Sequence, residues 1–267
     1  MYKRQTTCDR AVGEEKQFGH VDAIINIIGV QQDLPQRIVK FVIRRLGYKK
    51  QSDNYHHLGY ELVRLSEASF SGRKGVWIGY TADELYDEGY KKIQKLIEGK
   101  DFSELDKQII ADALTVNAIK YSFLRVSPEK VMTFDWKTAL NMEGDSGPYL
   151  TYALVRGISI VNKFDFNEIN GLKTVEKYEF NEFEKRVLRN LVMFNDVVEK
   201  SAKEFRPNVL VEYLTRLVSE YNRFYENCPV LSSKGDTKYI RVAIVLLFIK
   251  TILTGMRLLG MKPINKM

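Results

Sequence analysis

The stretch Val21-Asp-Ala-Ile-Ile-Asn-Ile-Ile-Gly-Val30 is nearly continuous in aliphatic residues and reaches a glycine at Gly29, the pattern of a strand buried on both faces of a parallel sheet. Just after it, over residues 35–46, Ile38, Val39, Phe41, Val42, Ile43 and Leu46 fall on one broad helical face, and Gly47 ends the pattern. Strand and helix together make one β-α step of a doubly wound fold. Residues 57–65 read as extended chain entering a small, polar, glycine-bearing loop at 66–75, and Val76, Trp77 and Ile78 read as a further short strand.

Beyond the loop the period changes. Thr81 with Glu84 three residues on is a capping box, and it opens a helix through residue 96. Residues 101–123, 148–161, 180–203, 207–226 and 237–259 each carry apolar side chains at three-to-four spacing. Consecutive helices joined by short polar loops make a bundle. The fold class is therefore an α/β portion followed by an all-α bundle, mostly α overall, with the change near Gly99 or Lys100.

Composition bounds what such a chain does. Its 267 residues are 45% hydrophobic, enough for a sizeable core. Lys and Arg number 41 against 34 Asp and Glu, a net charge of +7 that favours phosphate-rich partners. Fifteen Tyr and fourteen Phe supply rings that pack a core or stack on bases. Cys8 and Cys228 stand far apart with no CxxC, so neither a zinc knuckle nor a disulfide framework is expected, and a reducing, cytoplasmic setting fits. His20, His56 and His57 have no partner at metal spacing, so no metal site is expected. The longest apolar run, from Val242 to Leu253, is broken by Lys250 and reads as a buried helix rather than a membrane span.

One helix carries a distinctive surface. Tyr149, Tyr152 and Arg156 are spaced by three and four residues and share a face that presents two rings and a guanidinium. Such a face can stack on splayed bases, each stack contributing roughly 1–3 kcal/mol, while the guanidinium holds a phosphate. It can equally pack on a neighbouring helix with Arg156 capping a carboxylate.

The segment Phe134-Asp-Trp, followed by Met142-Glu-Gly-Asp-Ser-Gly-Pro-Tyr-Leu-Thr-Tyr-Ala-Leu-Val-Arg156, resembles the arginyl-tRNA synthetases in their archaeal form. Lys120-Tyr121-Ser-Phe-Leu, Asn222-Arg-Phe-Tyr-Glu-Asn-Cys-Pro-Val-Leu231 and Leu258-Leu-Gly-Met match in the same order, from about Thr6 to Met267. The chain departs from the family run at Thr151, where glutamine is usual. The resemblance implies the end of a Rossmann-type class I catalytic domain over residues 6–100 and a helical anticodon-binding domain over 101–267. Residues 1–5 read as a non-native leader.

By the same resemblance, Tyr149, Tyr152, Arg156, Tyr225 and Met267 line the anticodon-loop site. The loop Ser69-Phe-Ser-Gly-Arg-Lys-Gly75 is similar to the class I signature loop, with Ser71, Arg73 and Lys74 as its catalytic candidates. Ser69 and Gly72 stand at the two usual lysine positions, so charge building on departing pyrophosphate would fall to Arg73 and Lys74. Gly29, Gln31 and Gln32 are similar to the segment bordering ATP, with Gln31 replacing the usual aspartate. The implied partners are tRNA(Arg), arginine and ATP with Mg, none tightly bound, in a monomeric protein with no membrane association. The H-I-G-H half of the catalytic domain is not in this sequence, so negligible aminoacylation is expected of the chain alone. A missing first half should also leave a sheet edge and an apolar helix face uncovered. A structured-RNA-binding helical module without chemistry is the competing reading, and an interaction protein that binds no RNA is a third.

Overall fold

The computed structural model describes residues 21–65, 81–166 and 178–267, together with the backbone of residues 8–9 and 17–18. The loop at 66–75, with Ser71, Arg73 and Lys74, and the leader at 1–5 lie outside the described residues, as do Val76, Trp77 and Ile78. The chain divides into two compact units, Met1–Arg64 with Pro128–Met132 and Leu65–Ser127 with Thr133–Met267.

In the first unit, β1 (Cys8–Asp9) and β2 (Gln17–Phe18) pair antiparallel. Strand β3 (Ile24–Gly29) pairs in parallel with β4 (Tyr55–Tyr60), Ile24 opposite Tyr55 and Gly29 opposite Tyr60. Between them run a 3-10 turn (Val30–Gln32), helix α1 (Asp33–Arg45) and the short α2 (Lys49–Asp53), so the expected β-α step is present. After β4 the Glu61 amide donates to Pro128 O at 2.9 Å, which ties residues 128–132 back to this unit, and the short strand β5 (Val63–Leu65) follows.

The expectation that β3 is buried on both faces does not hold. Ile25 is 48% and Ile27 67% exposed, while Ile28 is buried and Ile24 and Asn26 are half-buried on the opposite face. That inner face is partly polar: Asn26 Nδ2 donates to Gln36 Oε1 at 2.9 Å, and the buried Tyr55 hydroxyl donates to the same oxygen at 2.6 Å. Helix α1 accordingly turns Gln36 inward and leaves Leu34, Ile38, Phe41 and Val42 open. An apolar run cannot by itself say which of its sides is covered.

In the second unit, α3 (Ala82–Ile97) opens with the expected capping box, Glu84 N donating to Thr81 Oγ1 at 3.2 Å and Thr81 N to Glu84 Oε2 at 2.8 Å. It packs along α4 (Glu104–Leu124) through Ile93, Ile97, Ile110, Ala111 and Leu114. After β6 (Met132–Phe134), the Phe134-Asp-Trp segment makes the single turn α5 (Trp136–Ala139): Asp135 caps it by accepting from Thr138 N at 2.9 Å, and the Phe134 and Trp136 rings meet edge to face at 4.9 Å. This turn is too short for its periodicity to register, as is α2.

Helix α6 (Gly147–Asn162) follows, capped by Ser146, which accepts from Tyr149 N at 3.0 Å. Residues 180–203 read as one helix from their periodicity, but they form two, α7 (Glu182–Val192) and α8 (Phe194–Glu204). Tyr213 explains the break, because its hydroxyl donates to Asn190 O at 2.8 Å, where the amide four residues on would bond in an unbroken helix. Helices α9 (Pro207–Asn227) and α10 (Gly235–Leu258) complete the bundle. Helix α10 is long and apolar enough to cross a membrane by length and composition. Here Val242, Val245, Phe248, Ile252 and Met256 are buried in the core shared with α6, α7 and α9, and Phe248 stacks on Tyr221 at 3.6 Å.

Candidate functional site

At the carboxyl end of β3 the chain leaves Gly29 into the 3-10 turn and then α1. Gln31 folds back on this point, its Oε1 only 2.7 Å from where a Cβ on Gly29 would stand, and Gln31 and Gln32 are exposed. His57 Nε2 lies 3.2 Å from Ile28 O and its Nδ1 3.6 Å from Asp33 Oδ1. Two exposed carboxamides therefore stand where two parallel strands end, the place where open α/β sheets bind their ligands.

The other predicted residues meet on α6 and α9. Arg156 is half-buried, and its guanidinium lies 4.7 Å from the centroid of the Tyr152 ring and 4.6 Å from that of Tyr225. The two rings are each 41% exposed. Arg156 Nη1 donates to Asn222 Oδ1 at 3.1 Å, and Asn222 Nδ2 donates to the Tyr149 hydroxyl at 3.1 Å. Tyr149 thus braces the cluster from its half-buried place against the core, while Tyr152 and Tyr225 are the rings open to a ligand. Because the hydrogen bond from Arg156 goes to a neutral amide, that partner leaves its positive charge uncompensated. Beneath the cluster the fully buried Tyr221 hydroxyl has no hydrogen-bond partner among the described residues, and burial pushes this phenol well above its ordinary value against the opposing charge of Arg156.

A groove of about 680 Å³ opens from this cluster, its walls including Ser159 of α6, Lys163 just past its end, Glu226 of α9 and the Pro229–Ser232 loop. On the other side of Tyr152 lies an apolar cavity of about 240 Å³, bounded by Ile93, Leu96 and Met142 and by the terminal Met267. Met267 is placed there by the tail after α10. Lys262 Nζ meets Asp112 Oδ2 and Lys266 Nζ meets Asp106 Oδ2, both at 2.6 Å, so the tail runs along α4.

Sequence reasoning missed Asn222, Ser159 and Lys163. Asn222 stands three residues before Tyr225 and Ser159 three after Arg156, so helical spacing from the named residues would have found both.

The same two parts appear in comparison with known proteins. Residues 2–136 match the family described as tRNA synthetases class I (R), catalytic domain, and residues 150–267 match the DALR anticodon binding domain. Arginine--tRNA ligase of Thermococcus kodakarensis is 38% identical over 258 residues, covering 94% of this chain and 40% of the relative. That of Thermus thermophilus is 32% identical over 88% of this chain and 40% of its own length. Among solved structures, Thermus thermophilus arginyl-tRNA synthetase superimposes with a TM-score of 0.83 at 28% identity, covering 96% of this chain and 43% of that one. The chain thus spans about two fifths of the length of the curated relatives it matches.

Proposed function

The chain belongs to the class I arginyl-tRNA synthetase family, and from that membership we propose that its α6–α9 face binds the anticodon loop of an arginine tRNA. The observation that carries this reading is the guanidinium of Arg156 held between two half-exposed tyrosine rings at the mouth of an open groove. Exposed rings stack on unpaired bases whatever their identity, and a cation between them attracts the adjoining phosphate. Lys163, exposed farther along the same groove, extends the positive track.

In the full-length context this reading assigns the joining of arginine to tRNA(Arg) at the expense of ATP, with Mg, in the cytoplasm. Gly29, Gln31 and Gln32 border the nucleotide in this reading. Ser71, Arg73 and Lys74 would stabilise the charge that develops on departing pyrophosphate. Residues 6–100 then belong to the catalytic domain and 101–267 to the anticodon-binding domain.

The test is direct binding of a tRNA(Arg) transcript to the chain at low and moderate salt, beside a transcript whose anticodon loop is substituted so that its bases pair. Binding that weakens with salt, falls with the substituted loop and falls again in Arg156→Ala supports the reading. Equal binding of both transcripts, or no effect of Arg156→Ala, would overturn it.

A further inference from the structure

Asn117, in the middle of α4, is fully buried, and its carboxamide joins three elements. Its Oδ1 accepts from the Lys262 amide at 2.7 Å, and its Nδ2 donates to the Lys262 carbonyl at 2.8 Å and to Thr151 Oγ1 at 3.0 Å. Thr151, also fully buried, donates its hydroxyl proton to Gly147 O at 2.9 Å in the first turn of α6. One side chain therefore grips both polar groups of a single tail residue and the start of the helix that carries Tyr152 and Arg156.

A two-point grip of that kind fixes the direction and register of the tail, which a point-charge contact does not. The tail's ion pairs to Asp112 and Asp106 come from lysines with half their side chains exposed, and pairs of that kind contribute little. The buried carboxamide, by contrast, loses both of its bonds to Lys262 if the tail leaves α4. Five residues after Lys262 the chain ends at Met267, which with Tyr152 lines the apolar cavity beside the RNA-binding cluster.

We propose that Asn117 is a positioning residue for the RNA site, setting Met267 and the first turns of α6 on the two sides of that cavity. The proposal rests on reading this face as the anticodon-loop site. Here the carboxamide comes from α4, whereas a glutamine at position 151 would carry one on α6. Thr151 keeps only the hydroxyl that receives it.

The experiment compares affinity for a tRNA(Arg) transcript and hydrogen exchange of the Lys262 amide in the full chain and its Asn117→Ala, Asn117→Asp, Asn117→Ala/Met267-deleted and Asn117→Ala/Thr151→Gln forms. Asn117→Ala is expected to bind about tenfold more weakly and to exchange Lys262 faster, with core amides of α9 and α10 unchanged. Deleting Met267 in that background should weaken binding no further, and Thr151→Gln should recover most of the loss by restoring a carboxamide. Asn117→Asp keeps the shape and the acceptor for the Lys262 amide but loses the donor, so it should weaken binding with a smaller rise in Lys262 exchange than Asn117→Ala. Wild-type affinity in either folded Asn117 variant, or no recovery by Thr151→Gln, overturns the proposal. A wild-type chain that binds no transcript overturns the RNA reading itself, a result distinct from equal binding by wild type and variant.

Discussion

Arg241 Nε donates to Glu184 Oε1 at 2.7 Å, and Glu184 is fully buried. The same carboxylate accepts from the Tyr178 hydroxyl at 2.9 Å and from Asn181 N at 3.0 Å, so it closes the cap of α7 while neutralising a residue of α10. Arg241 Nη1 in turn donates to Pro229 O and Ser233 Oγ, both at 2.9 Å, holding the ends of the loop that walls the groove. Removing one charge leaves the other buried and uncompensated, a loss of about 3–5 kcal/mol. Glu184→Gln should therefore lower the unfolding free energy by about 3 kcal/mol or more in urea denaturation. A loss below about 1 kcal/mol would place the pair with ordinary surface ion pairs.

The start of α6 lies against the backbone of α4. A Cβ on Gly147 would stand 2.1 Å from Asn117 O and 2.3 Å from its carbonyl carbon, and backbone cannot step aside as a side-chain tip can. Gly147→Ala is expected to cost about 3 kcal/mol or to prevent folding. Gly144, with nothing within 4 Å, is the control, and Gly144→Ala should change the thermal midpoint little. Equal behaviour of the two variants would show that α6 can slide off α4 without penalty.

These contacts mark where the sequence stops being legible. The β3–α1 step and the helices of the second unit follow from apolar periodicity and from caps such as Thr81 with Glu84, which act over a few residues. The break at Met193 depends on Tyr213 reaching Asn190 from another helix, and local period carries no such information. In the same way Tyr149, Tyr152 and Arg156 announce a shared face by spacing. That Tyr149 braces through Asn222 while Tyr225 supplies the second open ring depends on how α6 crosses α9. The open apolar face of α1 agrees with a missing first half, but that β3 is covered on one side only was hidden, since an apolar residue reads alike whether or not something lies against it.

Acid should loosen the last residues of the tail, beyond the grip of Asn117 on Lys262, before the core. At Asp112 burial pushes the carboxyl up, but hydrogen bonds from Lys262 and Tyr86 outweigh it and hold the group below the usual carboxylate range. Asp106 is held low by its hydrogen bond from Lys266 and then by Ser103. A folded-state value below the unfolded one means that this stabilisation is complete above the unfolded value of about 3.9 and drains as pH falls through the folded value. Carboxypeptidase should accordingly release Met267 and Lys266 faster once the pH drops below about 4, while far-UV circular dichroism still reports the bundle. Release that is independent of pH would show that the two carboxylates do not hold the tail.

The Tyr152–Arg156–Tyr225 cluster combines two kinds of binding that salt can separate. Stacking on a ring involves no counterion release, so Tyr152→Leu and Tyr225→Leu should each weaken tRNA binding by about 1–3 kcal/mol without changing its slope against salt. Arg156→Gln removes a cation and should reduce that slope by about one. Arg156 touches both rings, so its loss also frees them to turn, and the Arg156→Gln/Tyr152→Leu pair should fall short of the summed single effects by about 0.5–3 kcal/mol. Lys163→Gln should reduce the slope as Arg156→Gln does yet add to Tyr152→Leu without coupling, because no ring contact joins Lys163 to the cluster among the described residues. Equal slopes for wild type and Arg156→Gln would mean that the guanidinium serves only to hold the tyrosines apart and meets no phosphate.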